Sequence, residues 1–144
     1  MTTFADSSAL VKIYADEPGH EYVRSSPVLV VSQLARVEVP AALWRKQRMG
    51  ELTVEETSVL IAEFEADFYG TWDGPGRFAV VPVSDLVLET AARLTGVHGL
   101  RGYDAAQLAS AQLAASADRD CRTFAATDKA LRAAAAGEGF TLLP

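Results

Sequence analysis

Short, unbroken apolar runs alternate along this chain with longer stretches in which apolar residues return every three or four positions. The first rhythm belongs to strands buried on both faces, the second to amphipathic helices. Thr2 to Ala5 is a short strand ending at Asp6. Leu10, Val11 and Tyr14 then fall at helical spacing over Ser7 to Tyr14, until Asp16-Glu17-Pro18-Gly19 breaks the period. Val28 to Val31 is a second strand. Ser32 stands as the N-cap of a helix running to about Arg48, with Gly50 just past its end and Pro40 bending it or marking its first turns. Thr53 and Glu56 carry a capping-box signature for a helix through Phe64 and Phe68. Phe78 to Val81 is a third strand, and Ser84 caps a helix with Leu88, Ala91, Ala92 and Leu94 on one face. Gly102 to Ala117 is an alanine-rich helix, Thr123 to Ala126 a fourth strand, Lys129 to Ala136 a short helix closed by Gly137, and Phe140 to Leu142 a last strand. This succession predicts the α/β class with a mostly parallel sheet. In such sheets the functional crevice lies outside the carboxyl ends of the strands.

Composition narrows the picture. With 144 residues, 49% hydrophobic and 22% charged, residues 1–144 are expected to form a single domain with a real core. The single cysteine, Cys121, excludes an internal disulfide framework and a cysteine-built zinc site, and it fits a reducing compartment. The segment Met1-Thr2-Thr3-Phe4-Ala5-Asp6 has no positive region and meets an acid early, so no secretory leader and no membrane span are expected, and the protein is read as cytoplasmic. The net charge is −6, from 19 acids and 13 bases, which on its face disfavours a polyanionic partner.

Four acids stand where chemistry would be done. Asp6 follows the first strand and Asp128 the fourth, so in a parallel sheet both reach the same rim. Each alone has an ordinary reading as a helix N-cap. Glu38 has Leu34, Ala35, Ala41 and Ala42 one turn away on its helix, and a glutamate on an apolar stripe is costly unless paired with an arginine or bound to a cation. Asp104 repeats this between Leu100 and Leu108 at the start of the alanine-rich helix. Four carboxylates converging without compensation repel and hold their protons more tightly. A hard divalent cation is the physical remedy, and an all-carboxylate site without His or Cys suits Mg²⁺ or Mn²⁺ rather than zinc. Such an ion acidifies a bound water and stabilises charge on phosphoryl oxygens, the chemistry of phosphodiester hydrolysis.

The segments Asp6-Ser7-Ser8-Ala9-Leu10-Val11-Lys12, Glu38 in its helix, Leu100-Arg101-Gly102-Tyr103-Asp104-Ala105 and Thr127-Asp128-Lys129-Ala130-Leu131 resemble the PIN-domain family, and within it the VapC-type toxins of bacterial toxin–antitoxin pairs. The resemblance spans essentially the whole chain, with the motifs in family order. It implies an α/β/α sandwich and a Mg²⁺- or Mn²⁺-dependent endoribonuclease. It also implies a homodimer, and inhibition by a cognate antitoxin whose C-terminal segment lies across the active site. Carried over residue by residue, it makes Asp6, Glu38, Asp104 and Asp128 the metal-holding catalytic quartet. Ser8, and Thr127 likewise, would hydrogen-bond a ligand carboxylate. Gln107 departs from the histidine common at its place, which affects only supporting or substrate contacts.

Two other readings compete. An aspartate-based phosphoryl-transfer domain generally wants a second acid two residues after the first, where this chain has Ser8. A non-catalytic α/β binding module would use the acids as caps and buried pairs. His20 and His98 are placed in loops with no second ligand beside them, and Trp44 and Trp72 are read as packing or interface residues. Arg45, Lys46 and Arg48 read as a solvated helix face open to phosphate contact, and Arg101 is the basic residue nearest the proposed rim.

The charge then takes on a different meaning. Residues 1–90 carry 7 bases and 14 acids, and residues 91–144 carry 6 and 5. Setting the four acids aside leaves a net charge of −2, so the acidic balance does not exclude an RNA substrate.

Overall fold

The computed structural model describes residues 1–144. In chain order the elements are β1 (Thr2–Ala5), α1 (Ser7–Tyr14), α2 (His20–Arg24), β2 (Val28–Ser32), α3 (Ala35–Arg48), α4 (Val54–Tyr69), β3 (Ala79–Val81), α5 (Asp85–His98), α6 (Gly102–Ala117), β4 (Cys121–Ala125), α7 (Lys129–Gly137) and β5 (Thr141–Leu142). The strands form one sheet in the order β3-β2-β1-β4-β5, and every neighbouring pair is parallel.

Successive strand residues point to opposite faces, which is why the apolar runs are unbroken. Phe4, Val30 and Phe124 pack on one face against Val87 and Leu94 of α5, Leu108 of α6 and Leu131 of α7. Their neighbours Ala5, Leu29, Val31 and Ala125 pack on the other, against Leu10 of α1, Val39 and Leu43 of α3 and Phe64 of α4. Burying each large side chain of this kind stabilises the fold by roughly 1.5–3 kcal/mol. Phe4 and Phe124 also stack across β1 and β4 with ring centroids 5.5 Å apart. The architecture is an α/β/α sandwich around an all-parallel sheet. No helix is long and apolar enough to cross a membrane.

The strand order places the site. From β1 the chain steps outward through β2 to β3, then returns to lay β4 and β5 on the other side of β1. The direction reverses between β1 and β4, and the crevice outside their carboxyl ends is where such sheets bind ligands. Asp6 lies directly after β1 and Asp128 three residues after β4. Gly99 ends α5 in the left-handed conformation (φ 66°), so the chain turns back into α6 and delivers Asp104 to the same rim.

Three expectations are corrected. Ser32 is the fully buried last residue of β2 rather than a helix N-cap: its Oγ accepts the Leu34 N–H at 3.1 Å inside a turn, and α3 starts at Ala35 behind Leu34, with no side-chain cap. The buried stripe of α5 is Val87, Ala91 and Leu94, while Leu88 and Ala92 face outward, one position round the helix. His20 opens α2 and His98 closes α5, so neither lies in a loop; His98 Nε2 meets Glu138 Oε1 at 2.8 Å. The N-caps Thr53 and Ser84 stand as expected, Thr53 with both halves of its capping box.

Candidate active site

Asp6 enters the crevice because β1 stops there. Its backbone N–H donates to Ala125 of β4 at 3.0 Å, continuing the sheet by one residue, and its carboxylate then caps α1. Oδ1 accepts the Ala9 N–H at 2.9 Å and the Ser8 hydroxyl at 2.6 Å. The Ser8 oxygen in turn accepts the Thr127 N–H at 3.2 Å, which ties the loop after β1 to the loop after β4. Ser8 thus supports a carboxylate as the resemblance implies. Thr127 joins through its backbone, and its hydroxyl makes no hydrogen bond.

Asp6 is only 5% exposed, and burial pushes its carboxyl up to about 6. The hydrogen bonds from Ser8 and Ala9 pull it down, and the charges of Glu38 and Asp104 add smaller upward pushes. Those two acids therefore stand close enough to be felt, although they come from α3 and α6.

Glu38 is half-buried, and its Oε1 accepts two hydrogen bonds: from the Ser7 hydroxyl at 2.9 Å and from Gln107 Nε2 at 2.8 Å. Gln107 also donates to Ser7 Oγ at 3.1 Å, closing a three-residue network between α1, α3 and α6. Gln107 is 2% exposed and its Oε1 has no partner. The sequence marked Gln107 as a departure from the family's histidine with a bearing on supporting contacts; its bond to Glu38 is that supporting contact. Ser7, adjacent to Asp6, was overlooked.

Asp128 caps α7 through Oδ2, which accepts the Leu131 N–H at 2.9 Å. It does not join the group around Asp6 directly. The link is Arg101, whose guanidinium lies 3.3 Å from Asp104 Oδ2 and 3.8 Å from Asp128 Oδ1. This side chain is 83% exposed, so the pairs are weak ones.

A common design emerges. Asp6, Glu38 and Asp128 each have one oxygen held by hydrogen bonds, Asp104 has only the exposed Arg101 on its Oδ2, and Asp6 Oδ2, Glu38 Oε2 and Asp104 Oδ1 are left without a hydrogen bond. In their present rotamers no three such side chains are close enough together to hold an ion. The donor set nevertheless fits a hard divalent cation: it is all carboxylate, pre-oriented by hydrogen bonds, and already draws a positive guanidinium between two of its members. Two depressions flank the acids. One, of about 640 Å³, runs from Glu38, Ser8 and Thr127 along α3. The other, of about 590 Å³, joins Glu38 and Asp104 to Leu34, Val83, Leu88 and Tyr103.

The chain is thus an α/β/α sandwich with Asp6, Glu38, Asp104 and Asp128 near the switch point of its parallel sheet. The model of the PIN domain matches residues 3–137, and the chain belongs to that family. Among curated relatives it is similar to ribonuclease VapC45 and ribonuclease VapC49 of Mycobacterium tuberculosis, each 33% identical over 112 residues, covering 75% of this chain and 73% of the relative. Its fold is similar to that of PAE2754 from Pyrobaculum aerophilum, with a TM-score of 0.64 and 20% identity over 99% of this chain and 84% of that one. FitAcB from Neisseria gonorrhoeae gives 0.63 and 17%, over 99% and 96%. A toxin–antitoxin complex from Klebsiella pneumoniae gives 0.55 and 15%, over 88% and 86%.

Proposed function

We propose that this chain is a Mg²⁺- or Mn²⁺-dependent endoribonuclease that acts as the toxin of a toxin–antitoxin pair. The observation that carries the reading is the approach of Glu38 and Asp104 to the buried Asp6 at the switch point of the sheet, with Asp128 linked to Asp104 through Arg101. The relatives named as ribonucleases support the substrate class. The N-cap roles of Asp6 and Asp128 and the pairing of Arg101 with Asp104 and Asp128 are also what a non-catalytic binding module would show, so the cleavage test below discriminates between the two.

Asp6, Glu38, Asp104 and Asp128 would hold the cation, which when bound supplies an acidified water and stabilises charge on phosphoryl oxygens. The protein's own part is positioning. Ser8 and the Ala9 N–H hold Asp6 Oδ1, and Ser7 and Gln107 hold Glu38 Oε1, which leaves the second oxygen of each carboxylate free to reach a cation after a change of rotamer at the neighbouring acids. With its carboxyl at about 6, Asp6 is mostly ionised at neutral pH and able to orient a water or take its proton. Arg101 is placed to neutralise a phosphate arriving at Asp104 and Asp128.

The cavity beside Glu38 and Asp104 supports an antitoxin partner. Leu88 and Tyr103 line it while 52% and 67% exposed, so an apolar segment laid there would cover the acids. Exposed Leu86 and Val97, three turns apart on α5, support contact with a second copy in a homodimer. The test is cleavage of an RNA blocked at both ends by the purified chain with Mn²⁺. Internal fragments are expected. Intact blocked RNA alongside degraded unblocked RNA would make the protein an exonuclease, and no cleavage of either would remove the reading.

A further inference from the structure

We infer that the groove along α3 is the path of the RNA strand beside the cleavage site, with Arg45 and Arg48 as its phosphate contacts. The inference rests on the ribonuclease reading above. The groove begins at Glu38, Ser8 and Thr127, passes over Ala41 and Ala42, and continues to Arg45, Lys46, Arg48 and Met49. The two alanines keep its floor low. At a rise of about 1.5 Å per residue, Arg45 and Arg48 stand roughly 10 and 15 Å along the helix from Glu38, a reach of a few nucleotides.

The basic side chains in this region differ in what they already bind. Lys46 meets Glu17 at 2.5 Å and Glu51 at 3.2 Å, and Arg36, outside the groove, meets Glu65 at 3.3 Å and the Tyr69 hydroxyl at 3.1 Å. Arg45 and Arg48 are exposed, and neither forms an ion pair or a side-chain hydrogen bond. Two uncommitted guanidinium groups in a groove that opens on the acids are the right donors for phosphate, which they bind through two parallel N–H bonds. Glu17 and Glu51 also line the groove. Lys46 pairs with both, which leaves Arg45 and Arg48 as the free cations of the groove.

The test compares two double variants in an Asp104→Asn background, where RNA is bound but not cut. Arg45→Ala/Arg48→Ala removes the proposed contacts. Arg93→Ala/Arg122→Ala removes two cations from a cavity that shares no residue with the groove. Binding of a fluorescent single-stranded RNA is followed by anisotropy from 50 to 300 mM salt, after melts confirm that both variants fold. The groove variant is expected to bind at least tenfold more weakly at low salt, with a salt slope reduced by about 1.4, the value for two lost phosphate contacts on a single strand. The control keeps the parent's slope. Equal losses in both variants, or none in the groove variant, would overturn the path and leave the groove to a protein partner. A chain that cuts RNA but ignores both arginines loses only this inference, whereas one that neither binds nor cuts RNA loses the ribonuclease reading itself.

Discussion

In EDTA at pH 7.5, Asp6→Asn is expected to melt above the wild-type chain. The Asp6 carboxyl is raised from 3.8 to about 6, chiefly by burial, so the folded chain binds that proton more tightly than the unfolded one. Stability from this group is therefore greatest below about pH 4 and is lost as pH rises through 6. Above that window the ionised, buried carboxylate costs about 3 kcal/mol, roughly 6–12 °C in melting temperature for a chain of this size. Asparagine retains an oxygen for the Ala9 N–H and the Ser8 hydroxyl, and it is as good an N-cap as aspartate. The gain should shrink towards zero by pH 4. Mn²⁺ should raise the melting temperature of the wild type and leave the variant nearly unmoved, since an ion that binds only the folded state stabilises in proportion to its saturation. Identical melts from pH 4 to 8, or equal Mn²⁺ shifts, would sink the electrostatic account of Asp6.

Asp104→Asn is expected to reduce RNA cleavage by about 10³-fold or more, the scale on which loss of a transition-state contact acts. Its side chain is 22% exposed in the first turn of α6, near enough to Asp6 for its charge to be felt there. The substitution keeps size and shape and leaves Arg101 to Asp128, so the unfolding free energy should hold within about 1 kcal/mol of wild type. RNA affinity should be retained or rise, because a negative charge has gone from the path of a polyanion. Wild-type rates in this variant would remove Asp104 from the reacting centre.

The sequence carried the frame of this site more plainly than its supports. Asp6 and Asp128 were legible because strand ends are legible: a strand-forming run stops at Ala5 or Ala126, and an acid follows within two positions. Glu38 and Asp104 stood out as charges on apolar helix faces. Ser7 did not, and Gln107 stood out only as a departure from the family's histidine, because their value to Glu38 exists only once α1, α3 and α6 meet, the two residues being 100 positions apart in the chain. Ser32 misled because serine after an apolar run is equally a cap or a strand end, and the Val81–Gln33 backbone bond that extends the sheet past it is invisible in one dimension. Leu88 misled because the apolar arc of α5 is wider than its buried stripe. The excess of that arc lines the cavity beside Glu38 and Asp104, so the misread position belongs to the proposed antitoxin surface. The five-residue α2 is too short to show a period at all.

The central claim is that the four carboxylates work only as a cation centre. Its most direct test is the rate of cleavage of one end-blocked RNA by wild-type chain stripped with EDTA, as Mn²⁺ is titrated back. No cleavage without metal is predicted, followed by a saturable return of activity that zinc does not reproduce. Undiminished cleavage in excess EDTA would contradict it.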